Sequence, residues 1–121
     1  MTLLSHSFKV RHLILAAALT TGPGFVNHAN AQQTAFLVDL NSRTAIDLGN
    51  LGGGWSLPNG INDAGQVVGT FSPDEVHLHA FITGPDGEGM MDLNSLVDLP
   101  EGVILTKALD INNNGQVLVT G

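Results

Sequence analysis

Short apolar runs alternate with clusters of turn-forming residues along positions 35–120. The first four runs fall at 35–40, 45–48, 57–61 and 66–71, and the next four at 79–83, 90–93, 104–111 and 116–120. Each has the length of a strand rather than that of a stable helix. Between them stand Asn41-Ser42, Asp63-Ala64-Gly65, Asp86-Gly87 and Asn113-Asn114-Gly115. Asn and Gly tolerate the positive φ that tight hairpins require. The pattern therefore predicts an all-β chain of short antiparallel strands. Residues 90–97 form the one helical candidate of this region, and Asn94-Ser95 weakens it.

The runs repeat. Ala35-Phe36-Leu37 returns as Ala80-Phe81-Ile82 and Ile46-Asp47-Leu48 as Met91-Asp92-Leu93, both at an offset of 45. Ile61-Asn62-Asp63-Ala64-Gly65-Gln66-Val67 returns as Ile111-Asn112-Asn113-Asn114-Gly115-Gln116-Val117 at an offset of 50. The second copy thus carries five extra residues, which we place at 97–102, a stretch of loop chemistry. Four short strands in a unit of about 45 residues is the pattern of a propeller blade. The expected fold is two tandem four-stranded antiparallel units, at about 34–71 and 79–121. A blade cannot bury both of its faces alone, and closed propellers hold about 4–8 blades. Two units therefore imply an incomplete ring, a ring closed by self-association, or a small duplicated open sandwich. Truncation from a longer array is a further expectation, since the last predicted strand runs up to Gly121.

Ahead of the repeats, residues 1–31 have the layout of a secretory signal peptide. Lys9, Arg11 and His12 make a basic start, and seven apolar residues follow from Leu13 to Leu19. Gly22-Pro23-Gly24 breaks any helix, and Ala29-Asn30-Ala31 ahead of Gln32 is a small-x-small cleavage pattern. Cleavage is expected between Ala31 and Gln32. The apolar run is far short of the roughly 20 residues that span a bilayer. No membrane span is expected after cleavage, and the product belongs outside the cytoplasm, either periplasmic or extracellular.

Cleavage leaves 90 residues, 32–121, enough for one small domain. Such a chain buries only about 60–65% of its unfolded surface, so its core is marginal unless something reinforces it. With no cysteine in the sequence, disulfides are excluded. Of four basic residues the mature part keeps Arg43 and Lys107 against eleven acids, a net charge of −9. That balance excludes a nucleic-acid partner, whose phosphates call for Lys and Arg, and electrostatic adhesion to anionic lipid.

Three ordered motifs carry a resemblance. They are His79-Ala80-Phe81, Asp47-Leu48-Gly49-Asn50-Leu51-Gly52-Gly53 and Gly60-Ile61-Asn62-Asp63-Ala64-Gly65-Gln66-Val67-Val68-Gly69. Together they resemble the bacterial extracellular HAF repeat, a unit with a His-Ala-Phe start, an Asp-Leu-Gly-x-Leu-Gly-Gly middle and an Ile-Asn-x-x-Gly-Gln-Val-Val-Gly end. The likeness covers nearly all of residues 34–121. The first unit departs with Thr34 in place of His, and the second with Asn94-Ser95-Leu96-Val97-Asp98 in place of the Gly-rich middle. The resemblance implies an exported, propeller-like repeat protein and supplies no catalytic residues.

Candidate chemistry is sparse. His77 and His79 are two apart, so on a strand they would share a face and could grip a metal with Asp74 or Glu75. The first copy lacks both histidines, and His79 reads equally as a repeat-start residue at a blade edge. Asp110-Ile111-Asn112-Asn113-Asn114-Gly115 opens like a calcium loop, but Gly121 stands where the bidentate Glu belongs. We read it as a hairpin turn and expect no metal and no cofactor. Residues 49–54 are glycine-rich without the Lys-Ser/Thr of a phosphate loop. Trp55, the single tryptophan, is either a plug between blades or a stacking platform for a sugar. Ser42, Ser56, Ser72 and Ser95 lack a nucleophile elbow, and the acid pairs Asp74/Glu75 and Asp86/Glu88 read as solvated turns.

The expected function is a non-enzymatic exported module that binds or builds at the cell exterior, with itself, an extracellular glycan or a protein as partner. Loops 49–55 and 72–77 are the expected contact sites. The alternative is a secreted or periplasmic hydrolase using loop carboxylates with His77 and His79.

Overall fold

The computed structural model describes residues 13–18 and 33–121. Among these the chain is all-β, with no α-helix. Nine strands follow in order: β1 (Leu13–Ala18), β2 (Gln33–Asp39), β3 (Thr44–Gly49), β4 (Trp55–Ile61), β5 (Val67–Ser72), β6 (His79–Ile82), β7 (Met91–Asp92), β8 (Lys107–Ile111) and β9 (Val117–Thr120). The first seven form one sheet in the order β1-β2-β4-β5-β6-β7, with β3 paired to β2. The sheet is mixed, because β2 meets β4 in parallel at Gln33 and Trp55 while its other pairings are antiparallel. It curls into a half-barrel, and β8–β9 make a separate two-stranded sheet. The expected cleavage point between Ala31 and Gln32 lies outside the described residues.

Burial explains the curl. All six residues of β5 are buried. On one of its faces Val67 and Phe71 pack with Ala35, Leu37, Leu48 and Phe81. On the other, Val68 packs with Ala80, Leu93, Ala108 and Ile111. The central meander β4–β7 is thus covered by β2–β3 on one side and by β8–β9 on the other. Close approach is built into β5 itself. A Cβ at Gly69 would stand 2.0 Å from the Leu57 carbonyl oxygen, so no side chain fits there.

The two hairpins β4–β5 and β8–β9 are held by the same local chemistry. Asn62 Oδ1 accepts from the backbone N–H groups of Ala64 (3.1 Å) and Gln66 (3.0 Å), and Asn62 Nδ2 donates to Gln66 Oε1. Asn112 makes the matching three bonds to Asn114, Gln116 and the Gln116 side chain. Gly65 (φ 80°) and Gly115 (φ 82°) take the left-handed turn position. Both hairpins also carry a bulge, between Pro58 and Gly60 and between Ala108 and Asp110.

These hairpins touch at residues 49 or 50 apart. Asn62 Nδ2 donates to the Asn112 carbonyl at 3.2 Å, and the Asp63 N–H donates to Asn113 Oδ1 at 2.7 Å. Asn59 Nδ2 donates to the Ala108 carbonyl at 2.8 Å. A Cβ at Gly60 would meet the Asp110 Cα at 3.0 Å, so the bare backbone permits this approach.

Three expectations are corrected. The predicted antiparallel pairing does not hold throughout, because the loop after β3 returns the chain beside the start of β2 and β4 meets it in parallel at Gln33 and Trp55. The helical candidate is strand β7 followed by one 3-10 turn, Leu93–Ser95, in which Asp92 Oδ1 accepts from the Asn94 N–H. The run beginning at Ile104 pairs as a strand only from Lys107. The reason is that the Asn94 side chain takes both backbone groups of Leu105, accepting its N–H at 2.7 Å and donating to its carbonyl at 3.0 Å. Leu105 is thereby tied to the turn at 93–95, and its carbonyl also accepts from the Ala80 N–H at 2.9 Å.

Gly69→Ala is expected to destabilise by more than about 3 kcal/mol, because backbone rather than a movable side chain blocks the Cβ. Asn62→Ala should lose about 2–3 kcal/mol, and Asn112→Ala about 1 kcal/mol less, since only Asn62 also donates to the neighbouring hairpin. Urea unfolding of the three variants checks the order.

Candidate functional site

Loops 49–55 and 72–77 are far apart in sequence, and the fold sets them side by side. Loop 49–55 turns where Asn50 Oδ1 accepts from the Gly52 N–H and the Asn50 carbonyl accepts from the Gly53 N–H, with Leu51 (φ 56°) and Gly52 (φ 84°) left-handed. A Cβ at Gly53 would lie 1.6 Å from the Ser72 carbonyl oxygen, and one at Gly54 would lie 2.7 Å from Glu75 Oε2. At Gly53 the obstructing atoms are backbone, so glycine there is what lets the loops touch, whereas at Gly54 they belong to the movable Glu75 side chain. Half-buried Trp55 sits at this junction and, with Gln33, Gly54 and Leu57, lines an open cleft of about 230 Å³. Ser72 Oγ is buried with no hydrogen-bond partner among the described residues.

Loop 72–77 is organised by Asp74. Its Oδ1 accepts from the backbone N–H groups of His77 (2.7 Å) and Val76 (2.9 Å), and its Oδ2 lies 2.6 Å from His77 Nδ1. The backbone N–H of His77, followed by its ring, holds the Asp74 carboxyl well below the usual carboxylate range. Asp74 and His77 both face solvent.

The two histidines do not converge. His77 lies outside β6, so the alternation that would put it on one face with His79 never applies. His79 Nδ1 lies 2.7 Å from Asp92 Oδ2, which ties β6 to β7, and its ring meets Phe71 edge-on at 5.8 Å. Desolvation works to raise the Asp92 carboxyl, but bonds from His79 and from Asn94 outweigh it and leave it below its ordinary value. Each histidine therefore has a carboxylate of its own. Among the described residues no group of three or more His, Cys, Asp or Glu is placed to hold a metal ion.

The calcium-like sequence is a turn in the structure. Asp110 Oδ1 accepts from the Ile111 N–H, Asn112 Oδ1 caps the hairpin, and Asn113 exchanges bonds with Asp63. Asp86 and Glu88 also serve a turn: the Asp86 N–H donates to the Ala64 carbonyl and the Glu88 N–H to that of Pro85. The serines scatter. Ser56 Oγ accepts from the Ala35 N–H and donates to the Gly49 carbonyl, joining β2, β3 and β4, while Ser95 Oγ donates to the Asp92 carbonyl. Ser42 Oγ lies 2.7 Å from Thr44 Oγ1.

Both loops and Trp55 stand out in the sequence. The orphaned Ser72 hydroxyl and the structural role of Ser56 do not, since neither burial nor a partner 21 residues away leaves a local signal. No protein-family model, curated protein or solved structure matches the chain. Among the described residues no helix is long and apolar enough to cross a membrane.

The depressed Asp92 carboxyl sets a pH dependence. Its contribution to stability is present above the unfolded value of about 3.9 and is lost as pH falls through the lower folded value. Asp92→Asn should cost about 1–2 kcal/mol near neutrality, and the difference from wild type should shrink toward pH 3. Urea midpoints at pH 6.5 and pH 3 give both quantities.

Proposed function

We propose that the chain is an exported, non-enzymatic binding module whose tandem units, resembling HAF repeats, build propeller blades across the boundary between them. The blade reading draws on the central antiparallel meander β4–β7, flanked by β2–β3 and by β8–β9. On the 45- and 50-residue offsets, β2–β3 correspond to β6–β7 and β8–β9 to β4–β5. The chain then reads as half a blade, a whole blade and half a blade.

The observation that carries a binding role is the meeting of loops 49–55 and 72–77 beside Trp55. The cleft is smaller than the ~300–1,000 Å³ of an enclosing small-molecule pocket. It suits a single ring laid on an aromatic face. Trp55 offers an apolar surface with one N–H donor, and Gln33 an amide with donors and acceptors. Glu75, which lies against Gly54, and a mature charge of −9 disfavour an anionic ligand. The ligand class these features fit is a neutral glycan.

Trp55 is the single tryptophan, so its fluorescence reports the site directly. Titration with neutral oligosaccharides is expected to shift the emission. Trp55→Ala should weaken binding at least tenfold, read by calorimetry, without loss of the β circular-dichroism signal. Flat titrations across a panel of neutral glycans would remove this assignment.

A further inference from the structure

The geometry points to a blade completed between two copies of this chain, β9 of one pairing with β2 of the next. The inference rests on the blade reading above and adds the edges and the register. In the central meander β5 lies beside β6, with Val68 opposite Ile82, Gly69 opposite Phe81 and Thr70 opposite Ala80. Strand β1 lies beside β2 with Ile14 opposite Leu37, Leu15 opposite Phe36 and Ala16 opposite Ala35. Shifting the β6 residues by 45 gives these same β2 residues. So β1 stands on β2 at the register that β5 holds on β6.

Strand β1 lies within the segment that reads as a removable export signal. Cleavage before Gln32 takes β1 away and leaves the β2 edge open, a liability that exported β proteins must cover. The strand whose sequence corresponds to β5 is β9, at an offset of 50, and among the described residues β9 pairs with β8 alone. The same shift sets the register: Leu118 opposite the second copy's Leu37, Val119 opposite its Phe36 and Thr120 opposite its Ala35.

Two further observations favour a second copy as the occupant. Val68 is buried between the meander and β8–β9, and its counterpart Leu118 is 63% exposed, with Leu109 exposed beside it. A copy docked through β2 would bring its own meander over Leu118, as β8–β9 covers Val68. The hairpin bonds would also continue, since Asn112 Nδ2 has the same local partner as Asn62 Nδ2, which reaches the next hairpin. One contact changes: Leu109 and Asp110 stand where Asn59 and Gly60 stand, so that seam is apolar and charged rather than an amide bond.

The test expresses the full chain with export, reads processing by intact mass, and measures native mass by sedimentation. The processed chain is expected to be a closed oligomer, and the chain held unprocessed in the cytoplasm a monomer. The N–H of Val119 corresponds to that of Gly69 and faces the open edge, so Val119→Pro should weaken association at least tenfold while β8–β9 pairing persists. Ala35→Cys with Thr120→Cys should give disulfide-linked chains on a non-reducing gel, because directly opposed residues bring their Cβ atoms within bonding reach. A processed chain that stays monomeric at ~0.1 mM, or one whose oligomer survives Val119→Pro and yields no cross-link, overturns the inference and leaves export standing. Should intact mass show residues 1–31 retained, export fails instead. Leu15→Pro in the retained chain then decides the inference: unseating β1 must produce association, and a monomer overturns it.

Discussion

Six consecutive buried residues in β5 have to be covered on both faces, and the remaining strands are arranged around that need. A single meander of four short strands offers one apolar layer with two sides. Here β2–β3 close one side over Val67 and Phe71, and β8–β9 close the other over Val68. With no disulfide and few charges, close packing is the main source of stability. Gly69 shows how tight that packing is, since its neighbours leave no room for a methyl group.

The repeated Ile-Asn-x-x-Gly-Gln-Val segment has a physical explanation. Asn closes the turn with its amide, Gly supplies the left-handed residue, and Gln returns a bond to Asn. The apolar residues on either side enter the core. In the first hairpin the same Asn has a donor to spare for the second, so one residue type both shapes a turn and links neighbouring hairpins. Such economy suits a chain that must build its interior from short, similar pieces.

The candidate site depends on the same packing. Loop 49–55 enters β4 and loop 72–77 leaves β5 at the same end of the hairpin, where Trp55 pairs with Ser72. Their contact follows from that register and from glycine at 53, where only bare backbone fits against the Ser72 carbonyl. Asp74 shapes its own loop by gathering local N–H groups, which leaves the acid an organiser of backbone as well as a surface charge.

Strand positions, turn positions and the all-β class were legible in the sequence, because period, turn chemistry and repetition are local properties. The two candidate loops were also legible, as glycine-rich or polar stretches between runs. Proximity was not. Two histidines two residues apart share a face only where the chain is extended, and the turn organised by Asp74 ends at His77, before β6 begins. The helical candidate at 90–97 became a strand and a 3-10 turn because the Asn94 side chain found Leu105, a partner 11 residues away. Which segments extend, where they turn and which residues repeat can be read along the chain. Which faces are covered and which loops meet emerges only on folding. Those outcomes depend on packing between residues distant in sequence, and no local pattern encodes them.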